Sequence, residues 1–395
     1  MIRRGLTWAA LLLAGCGTTF RSDLGFLKGH TETIVLGDRE LDARVVVCPA
    51  LQGRVMTSTA TGDGGLSYGW INYEAIASGE LKPHINVYGG EDRFWLGPEG
   101  GQFSLFFKKG DPFDLPHWQT PAAIDSEPFE VVKQEAEIVR MRKDMRIANY
   151  AGFVFQLRVD RDVRLVRARH VWQYLQMPAP EEVRLVAYET LNKVTNIGAS
   201  AWTSKDGLLS IWILGMFTPT PRSTVVVPLR DGPGPAVNDA YFGKVPADRL
   251  FLRPGVAFFR ADGLHRSKIG VRPDRALPTL GSWAPETGVL TIVQYTLPGT
   301  SDYVNSMWEL QKAPLAGDAI NSYNDGPPAP GQPPLGPFYE LETSSPALAL
   351  APWKSATHVH RTIHLEGPRA ALDEIARRHL NASLDEIEAA PLTGR

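Results

Sequence analysis

The chain has no excess of charge of either sign. Its 395 residues include 41 lysines and arginines against 43 aspartates and glutamates, a formal net charge of −2. Without a strongly basic surface, nothing in the charge balance favours nucleic acid as a partner. The glycine-containing stretch 84–101 lacks a phosphate-loop pattern and does not lead into a helix, which excludes a nucleotide site there. A sugar or oligosaccharide is the better candidate partner.

Internal repeats are absent, and regular helical spacing is almost absent. Most of the chain instead shows strand patterns separated by turn residues, at 41–47, 103–107, 153–159, 208–217, 224–229, 289–297, 338–343 and 358–365. A helix is predicted only near the C-terminus, where Pro368 suits a first turn and apolar residues recur at helical spacing through Leu380. Many strands with few helices predict an all-β fold, a large antiparallel sandwich of two sheets that this short helix caps.

The N-terminus reads as a targeting segment. Two arginines precede an apolar run that ends in Leu13-Ala14-Gly15-Cys16, which resembles the lipobox of bacterial lipoproteins. The resemblance implies a signal peptide over 1–15, a lipidated Cys16 anchoring the chain to a membrane, and a tether over 16–28. Gly17 in place of Asp implies the outer membrane of the cell envelope. The alternative is an ordinary cleaved signal with a chance cysteine.

Cysteine is scarce, and with Cys16 modified the only other one, Cys48, has no disulfide partner. A disulfide framework is therefore excluded, and Cys48 is predicted to be a small buried apolar residue. The remaining chain divides into a sandwich domain over 29–367 and a C-terminal helix and tail over 368–395.

Two glutamates lie two residues apart in the extended segment 338–343. Strand side chains alternate between faces, so Glu340 and Glu342 share one face, about 7 Å apart along the strand. Like charges this close perturb each other's pKa, which suits general acid and base chemistry, although on a solvated face the pair would simply be hydrated. The proline- and glycine-rich stretch 325–337 just before them is either a loop that overhangs a site or a long turn.

Four further stretches carry groups that bind sugars or anions. A glycine-rich turn displays His84, Asp92 and Arg93, or is a salt-bridged turn over an aromatic core. Arg266 and Lys268 share one strand face, where the two cations either bind a carboxylate or phosphate or simply face solvent. The third stretch is a loop, and the fourth is an amide-rich stretch made of two segments. Their polar groups hydrogen-bond hydroxyls or serve turns, and their candidate residues are Asn238, Asp239, Tyr241, Asn305, Trp308 and Asn324.

Three histidines share one face of the predicted strand 358–365. His358 and His360 could chelate a metal with a third ligand, but no cysteine pair or His/Glu helix motif accompanies them. A solvent-facing polar row that includes His364 is the favoured interpretation. No metal site and no cofactor are predicted.

The order of several motifs resembles the galactose mutarotase-like superfold. These are Tyr88-Gly89-Gly90-Glu91-Asp92-Arg93-Phe94-Trp95, then Val194-Thr195-Asn196-Ile197-Gly198, then Leu341-Glu342-Thr343 followed by Pro352 and His358. More closely, residues 29–367 resemble a bacterial lipoprotein family that carries this superfold. The resemblance implies a large antiparallel supersandwich with a carbohydrate site in a concave face.

Aldose 1-epimerases of this superfold use a Glu base and a His acid to open and reclose a sugar ring. The segment 341–343 is similar to the strand that bears the Glu, which implies that Glu342 is the base, with Glu340 as the neighbouring alternative. Asp239 resembles the Asp that binds sugar hydroxyls, and His84 with two later glycines resembles another family motif. The family's acid is missing from its usual place, since no histidine occurs between His170 and His265. His84 or Arg93 is therefore expected to supply the proton or the electrostatic role.

Three functions remain open at this point. The first is a cofactor-free sugar epimerase. The second is a polysaccharide lyase or glycoside hydrolase, because the expected spacing of the two glutamates falls near that of inverting glycosidases. The third is a glycan-binding protein without chemistry, with stacking surfaces supplied by tryptophans 95, 118, 212 and 308.

Overall fold

The computed structural model describes residues 18–37, 42–299 and 302–391. Cys16 and the signal-peptide segment lie outside these residues, so lipidation stays a prediction. Within the described part of the chain, no helix is long and apolar enough to cross a membrane. The helices are α1 (Phe20–His30), α2 (Tyr73–Ser78), α3 (Ala122–Asp125), α4 (Ala168–Leu175), α5 (Arg369–Leu380) and α6 (Leu384–Ala389).

Three antiparallel sheets form the body of the protein. The largest has ten strands in the order β11 (Leu250–Arg253), β12 (Val256–Arg260), β10 (Thr224–Pro228), β14 (Thr279–Ala284), β15 (Val289–Tyr295), β18 (Ser355–Glu366), β8 (Arg184–Asn196), β7 (Val154–Leu165), β6 (Ile138–Ala148) and β5 (Glu130–Gln134). The second has five strands in the order β13 (Ser267–Val271), β16 (Ile320–Asn324), β17 (Tyr339–Ser344), β9 (Ser210–Phe217) and β4 (Arg93–Gly97). The third has three, β1 (Ile34–Gly37), β2 (Arg44–Cys48) and β3 (Arg54–Thr59). The large antiparallel sandwich predicted from the sequence is confirmed.

The ten- and five-stranded sheets pack face to face around an apolar core. Val227 and Phe259 of the larger sheet share one cluster with Ile269 and Leu341 of the smaller sheet. The opposite face of the larger sheet is covered by helices, since Leu372 and Ile375 of α5 pack in a second cluster with strand residues of that sheet. The capping role predicted for the C-terminal helix is therefore confirmed, although Pro368, predicted for the first turn, is the N-cap residue just before it.

Two predictions about local structure are wrong. Residues 103–107 form turns rather than a strand, because Leu105, Phe106 and Phe107 are all buried and do not alternate between faces. The tether expected over 16–28 ends before Phe20, where α1 begins. Phe20 and Leu27 of that helix pack with Cys48 and Met56 in a small apolar cluster. Cys48 is a buried free thiol, as predicted.

The three histidines of β18 are buried, and their interpretation as a solvent-facing row is wrong. They lie on the inner face of the sheet, where the Thr343 hydroxyl lies 2.8 Å from His358 Nε2 and 2.9 Å from His360 Nδ1. His364 lies 3.1 Å from the Glu91 carboxylate. On the outer face Ile363 and Leu365 pack with the helices, whereas Thr357 stays exposed. The polar side of this strand is therefore its more buried side and does not mark solvent.

Burial of His358 and His360 predicts a loss of stability in mild acid. Burial lowers the pKa of His358 to about 3 and that of His360 to about 4. The Asp92 carboxylate raises the His360 pKa and the Arg161 guanidinium lowers it, but burial outweighs both. In the unfolded chain both titrate near 6.5, so below that pH the unfolded state gains protons that the folded state does not. Stability should therefore fall as pH drops from about 6.5, by at most about 1.4 kcal/mol per pH unit for each histidine.

Urea unfolding at pH 7, 6 and 5 measures this slope. His358→Gln should make the slope shallower, whereas His30→Gln, at an exposed position on α1, should leave it unchanged. An unchanged slope in the His358 variant would contradict the burial of a neutral imidazole there.

Candidate functional site

One face of the five-stranded sheet forms the floor of a cavity of about 640 Å³. Directly paired residues on neighbouring strands point to the same face. The register aligns Glu340 with Tyr323 on one side and with Met216 on the other, and it pairs Lys268 with Tyr323. It likewise aligns Glu342 with Leu214, and Leu214 with Arg93. Strand pairing thus gathers side chains from five separate parts of the sequence on one surface.

The two glutamates of β17 form a buried pair at the centre of this floor. Glu340 accepts a hydrogen bond from Arg93 Nη2 at 2.7 Å, from the strand at one edge of the sheet. Glu342 Oε2 accepts from Lys268 Nζ at 3.1 Å, from the opposite edge, and from Trp212 Nε1 at 2.9 Å. The two carboxyl groups also lie within hydrogen-bond reach of each other. Each glutamate therefore has its own cation and shares one contact with its neighbour.

The charge balance of the floor favours one proton on the pair. Burial raises the pKa of Glu340 to about 8, and the neighbouring Glu342 adds to the rise, against the Arg93 guanidinium that lowers it. Oε1 of Glu342 has no donor among the described residues other than this neighbour. A proton held by Glu340 can be donated to Glu342, which satisfies that oxygen and relieves the repulsion. Glu340 can form an ion pair with Arg93 and still have a raised pKa, because only its Oε1 faces the guanidinium.

Lys268 balances a third carboxylate at the same place. Its Nζ lies 4.0 Å from Glu99 Oε2 as well as close to Glu342. Burial opposes the charge of Lys268, but Glu342, Glu99 and Glu340 outweigh it and raise the lysine pKa. Burial likewise raises the pKa of Glu99, against the lowering effect of Lys268. The lysine is therefore a permanent cation that holds two carboxylates together.

Aromatic side chains form much of the wall. Trp118 stacks on Trp308 with ring centroids 6.0 Å apart, and Trp95 meets Trp212 edge to face at 5.5 Å. The Arg93 guanidinium lies over the Trp95 ring at 4.0 Å, which fixes the cation in place while Nε and Nη1 remain without partners among the described residues. The cavity therefore combines flat apolar surfaces with hydrogen-bond donors, as a sugar site requires.

The proline-rich segment between β16 and β17 closes the cavity from above. Asp325 ties its two ends together, since its carboxylate accepts from Tyr323 Oη at 2.7 Å and from the Gly336 amide at 2.8 Å. Gly336 lies so close to the Trp70 indole that a Cβ there would approach it to 2.2 Å, so a larger residue would displace the loop. The loop overhangs the cavity rather than forming only a long turn, because Pro328, Gln332, Pro333 and Leu335 all line it.

His84 lies at the exposed mouth of the same cavity. Its Nδ1 is 2.7 Å from the Trp118 carbonyl oxygen, which can only accept, so Nδ1 carries the proton. In the neutral ring Nε2 then holds the lone pair and is a proton acceptor. This orientation suits a base better than the acid role that was expected for His84.

The structure brings together six of the predicted site residues as cavity lining. They are His84, Arg93, Glu340, Arg266, Lys268 and Trp308. Glu342, the base implied by the family resemblance, is fully buried and is not among the side chains that line the cavity. Direct contact with a ligand in the cavity therefore falls to Glu340.

Asp92 lies on the other side of the sheet from the cavity. Its carboxylate is 2.6 Å from Arg161 Nη2 and 2.9 Å from the Thr190 hydroxyl, between the two large sheets. Consecutive residues of an extended chain face opposite sides, so Asp92 and Arg93 cannot both reach the cavity. Its predicted role in binding a ligand has no support in this geometry.

Five further predicted residues make structural contacts rather than line the cavity. Asp239 pairs with Lys244 at 2.6 Å within its own loop. Asn238 and Tyr241 both hydrogen-bond Asp318, at 3.4 and 2.6 Å. Asn305 caps a turn at Met307, and Asn324 is buried against the Gly263 amide. Each of these side chains is therefore occupied by a contact within the protein.

Sequence reasoning did not single out Glu99 or Asp325 as site residues. Both are acidic residues in turns, and only the fold shows that they meet Lys268 and Tyr323. Among the described residues, no three His, Cys, Asp or Glu side chains are grouped as a metal site would require.

Comparison with known proteins relates the chain to a family and to a fold. A model described as a family of unknown function, DUF6786, matches residues 18–391, which is nearly the whole chain. No curated protein matches it.

Several solved structures share the fold at low sequence identity. The Slr1438 protein from Synechocystis sp. PCC 6803 aligns with a TM-score of 0.52 at 13% identity, over 86% of this chain and 96% of its own. A candidate aldose 1-epimerase from Escherichia coli K12 aligns with a TM-score of 0.49 at 12% identity, over 85% of this chain and 99% of its own. A galactose mutarotase-like protein from Lactobacillus casei ATCC 334 aligns with a TM-score of 0.45 at 10% identity, over 85% of this chain and 100% of its own. At these identities the likeness shows the fold and not an activity.

Removal of the Lys268 cation should destabilise the protein strongly. Lys268→Met would leave Glu342 and Glu99 buried without a counter-charge, and breaking a buried pair costs about 3–5 kcal/mol. Urea unfolding measures the loss, and adding Glu342→Gln should recover part of it because one uncompensated charge is removed. Lys133→Met is the control, since its pair with Glu135 is exposed and should contribute less than about 1 kcal/mol. Equal effects of the two lysine substitutions would contradict the proposed charge balance.

Proposed function

The chain belongs to the DUF6786 family of unknown function, and we propose that it binds a sugar ring in the cavity over the five-stranded sheet and transfers protons to and from it without a cofactor. The observation that carries this proposal is the buried Glu340–Glu342 pair beside a cavity with tryptophan walls, where burial raises the pKa of Glu340 to about 8. A proton donor with a pKa close to the working pH is what general acid catalysis needs.

The proposed reaction is anomerisation of an aldose. Glu340 donates its proton to the ring oxygen while a base takes the proton of the anomeric hydroxyl, and the bond between the anomeric carbon and the ring oxygen breaks. We assign the role of this base to Nε2 of His84, which lines the same cavity and is free to accept a proton when Nδ1 donates to the Trp118 carbonyl. The open-chain aldehyde rotates and recloses with both proton transfers reversed. Arg93 and Lys268 hold the carboxylates, and unpartnered N–H groups of Arg93 can donate to ring hydroxyls.

The roles differ from those implied by the family resemblance. The resemblance implies that Glu342 is the base, and the expectation from the sequence is that His84 or Arg93 supplies the proton or the electrostatic role. Here Glu340 contacts the cavity, and Glu342 acts through it by raising its pKa. Glu342 is then a positioning and tuning residue.

The hydrolase alternative loses its main support. Glycosidase carboxyl groups stand at least about 5 Å apart, so that a sugar fits between them. Glu340 and Glu342 project from the same face of one strand, so this pair cannot flank a scissile bond from its two sides.

Polarimetry of freshly dissolved aldoses tests the proposal. Glu340→Gln and His84→Gln should each lower the catalysed rate at least about 10²-fold, because each removes one proton-transfer group. The wild-type rate should fall as pH rises past about 8, where Glu340 loses its proton. Glu342→Gln should shift this fall to lower pH, because the charge that raises the Glu340 pKa is gone. Glu135→Gln, at an exposed position, is the control.

Two outcomes would contradict the proposal. Rates no faster than buffer for every aldose would exclude anomerisation. Calorimetry showing a sugar bound but unchanged would instead support a binding protein, which the tryptophan walls also suit.

A further inference from the structure

Three arginine and lysine side chains line the cavity, and Arg266 differs from the other two. Arg93 lies 2.7 Å from Glu340, and Lys268 lies 3.1 Å from Glu342. Arg266 lines the same cavity but has no ion-pair or hydrogen-bond partner among the described residues. Its positive charge is therefore available to a ligand.

An aromatic cluster holds the Arg266 side chain in place. Its guanidinium lies over the Phe242 ring, 3.8 Å from the ring centroid. Phe242 in turn meets Trp308 and Tyr323 edge to face, with ring centroids 5.7 and 5.9 Å apart. Arg266 is half-buried, so its N–H groups remain accessible from the cavity. A guanidinium fixed in this way loses little further freedom when it binds an anion, which strengthens binding.

The position of Arg266 suits one exocyclic group of a sugar on the cavity floor. Lys268, Tyr323 and Glu340 form one row across three neighbouring strands. Arg266 precedes Lys268 by two residues, which places it about 7 Å further along the sheet on the same face. In a hexopyranose the carbon outside the ring is bonded to the ring atom next to the ring oxygen. A sugar whose ring oxygen contacts Glu340 can therefore direct this carbon along the sheet to Arg266.

The charges around Arg266 favour a single negative charge on that group. Burial raises the pKa values of Glu99 and Asp325, and Arg266 is among the groups that lower them. Both carboxyl groups therefore lie within electrostatic range of the guanidinium. They would repel a dianionic phosphate more strongly than a monoanionic carboxylate, and a guanidinium binds a carboxylate through two parallel hydrogen bonds.

We propose that the substrate is a hexuronic acid, an aldose whose exocyclic carbon is a carboxylate, and that Arg266 binds this carboxylate while Glu340 contacts the ring oxygen. The inference rests on the proposed function, since the sugar ring occupies the site described there. It adds the class of substrate and the residue that selects it. A hexuronic acid keeps its anomeric hydroxyl group, so the anomerisation proposed above applies to it unchanged.

Polarimetry with paired aldoses tests this inference. The probes are galacturonate against galactose and glucuronate against glucose, and the members of each pair differ only at the exocyclic carbon. Hydrogen bonds to charged groups strengthen binding about 10- to 100-fold, so each uronate should exceed its matching hexose by about that factor in kcat/KM. The difference should lie in KM rather than in kcat, because the carboxylate contact is the same before and during the reaction.

Substitutions of Arg266 locate the preference. Arg266→Gln should remove most of it, whereas Arg266→Lys should keep part of it, because a cation remains without the paired N–H groups of a guanidinium. Arg272→Gln is the matched control and should leave the preference unchanged, because Arg272 directly follows β13, which Arg266 directly precedes, and pairs with Asp274 at an exposed position. Calorimetry of galacturonate binding gives a second readout that does not depend on turnover, and thermal melting checks that each variant is folded.

The possible failures are distinguishable. Equal kcat/KM for uronates and hexoses, or an equal loss for both in Arg266→Gln, would overturn the inference and leave the proposed function standing. An Arg266-dependent preference for glucose 6-phosphate over glucuronate would overturn the choice of a carboxylate. Uronates that bind through Arg266 but are not anomerised would overturn the proposed reaction and support the ligand class. Neither binding nor turnover of any aldose would overturn both.

Discussion

Two carboxyl groups buried side by side cannot both carry a full charge unless cations lie beside them. In this protein β17 places Glu340 and Glu342 on one face at the middle of the five-stranded sheet, and the cations come from its two edge strands. Arg93 on β4 and Lys268 on β13 reach the pair from opposite sides. The order of strands in this sheet is thus what permits the pair to be buried. A sheet with β17 at its edge would leave one carboxylate without a counter-charge.

The same logic governs the space between the two large sheets. Arg161 is fully buried and forms an ion pair with Asp92. The Glu91 carboxylate contacts His364 and accepts a hydrogen bond from the Ser58 hydroxyl. Buried ion pairs add little net stability compared with apolar packing, but losing one partner is costly. These interior pairs therefore fix the positions of segments more than they strengthen the fold. The chain from Glu91 to Arg93 is held from both sides of the smaller sheet, which sets the direction in which Arg93 enters the cavity.

Much of the fold followed from the sequence, because period-two alternation depends only on which residues are buried. It located β9, β10, β15, β17 and β18 closely, and it gave Glu340 and Glu342 a common face. It failed at His358 and His360, because the polar face of their strand was taken to be solvated and is instead the face that packs inside the sandwich. It also failed at 103–107, where consecutive aromatic residues fill the core beneath a turn.

The candidate site was predicted less completely than the fold. Residues on the floor were identified when strand alternation alone placed them, as for Lys268 and Glu340. Residues whose contacts depend on distant segments were not, since Glu99 meets Lys268 only through the packing of two loops. Asp239 and Asn324 have the chemistry of sugar ligands, but their side chains are occupied by Lys244 and by the Gly263 amide. The residue type determines what a side chain can bind, but the packing around it determines whether the side chain is free to bind a ligand.

Carbon-13 NMR of protein labelled at the glutamate side-chain carboxyls tests the central claim most directly, because it observes the proton on the pair itself. The account predicts one carboxyl resonance with a midpoint near pH 8 that disappears in Glu340→Gln. If every glutamate carboxyl instead titrated within about one unit of its ordinary value near 4.3, the pair would hold no proton at neutral pH, and the acid role of Glu340 would be contradicted.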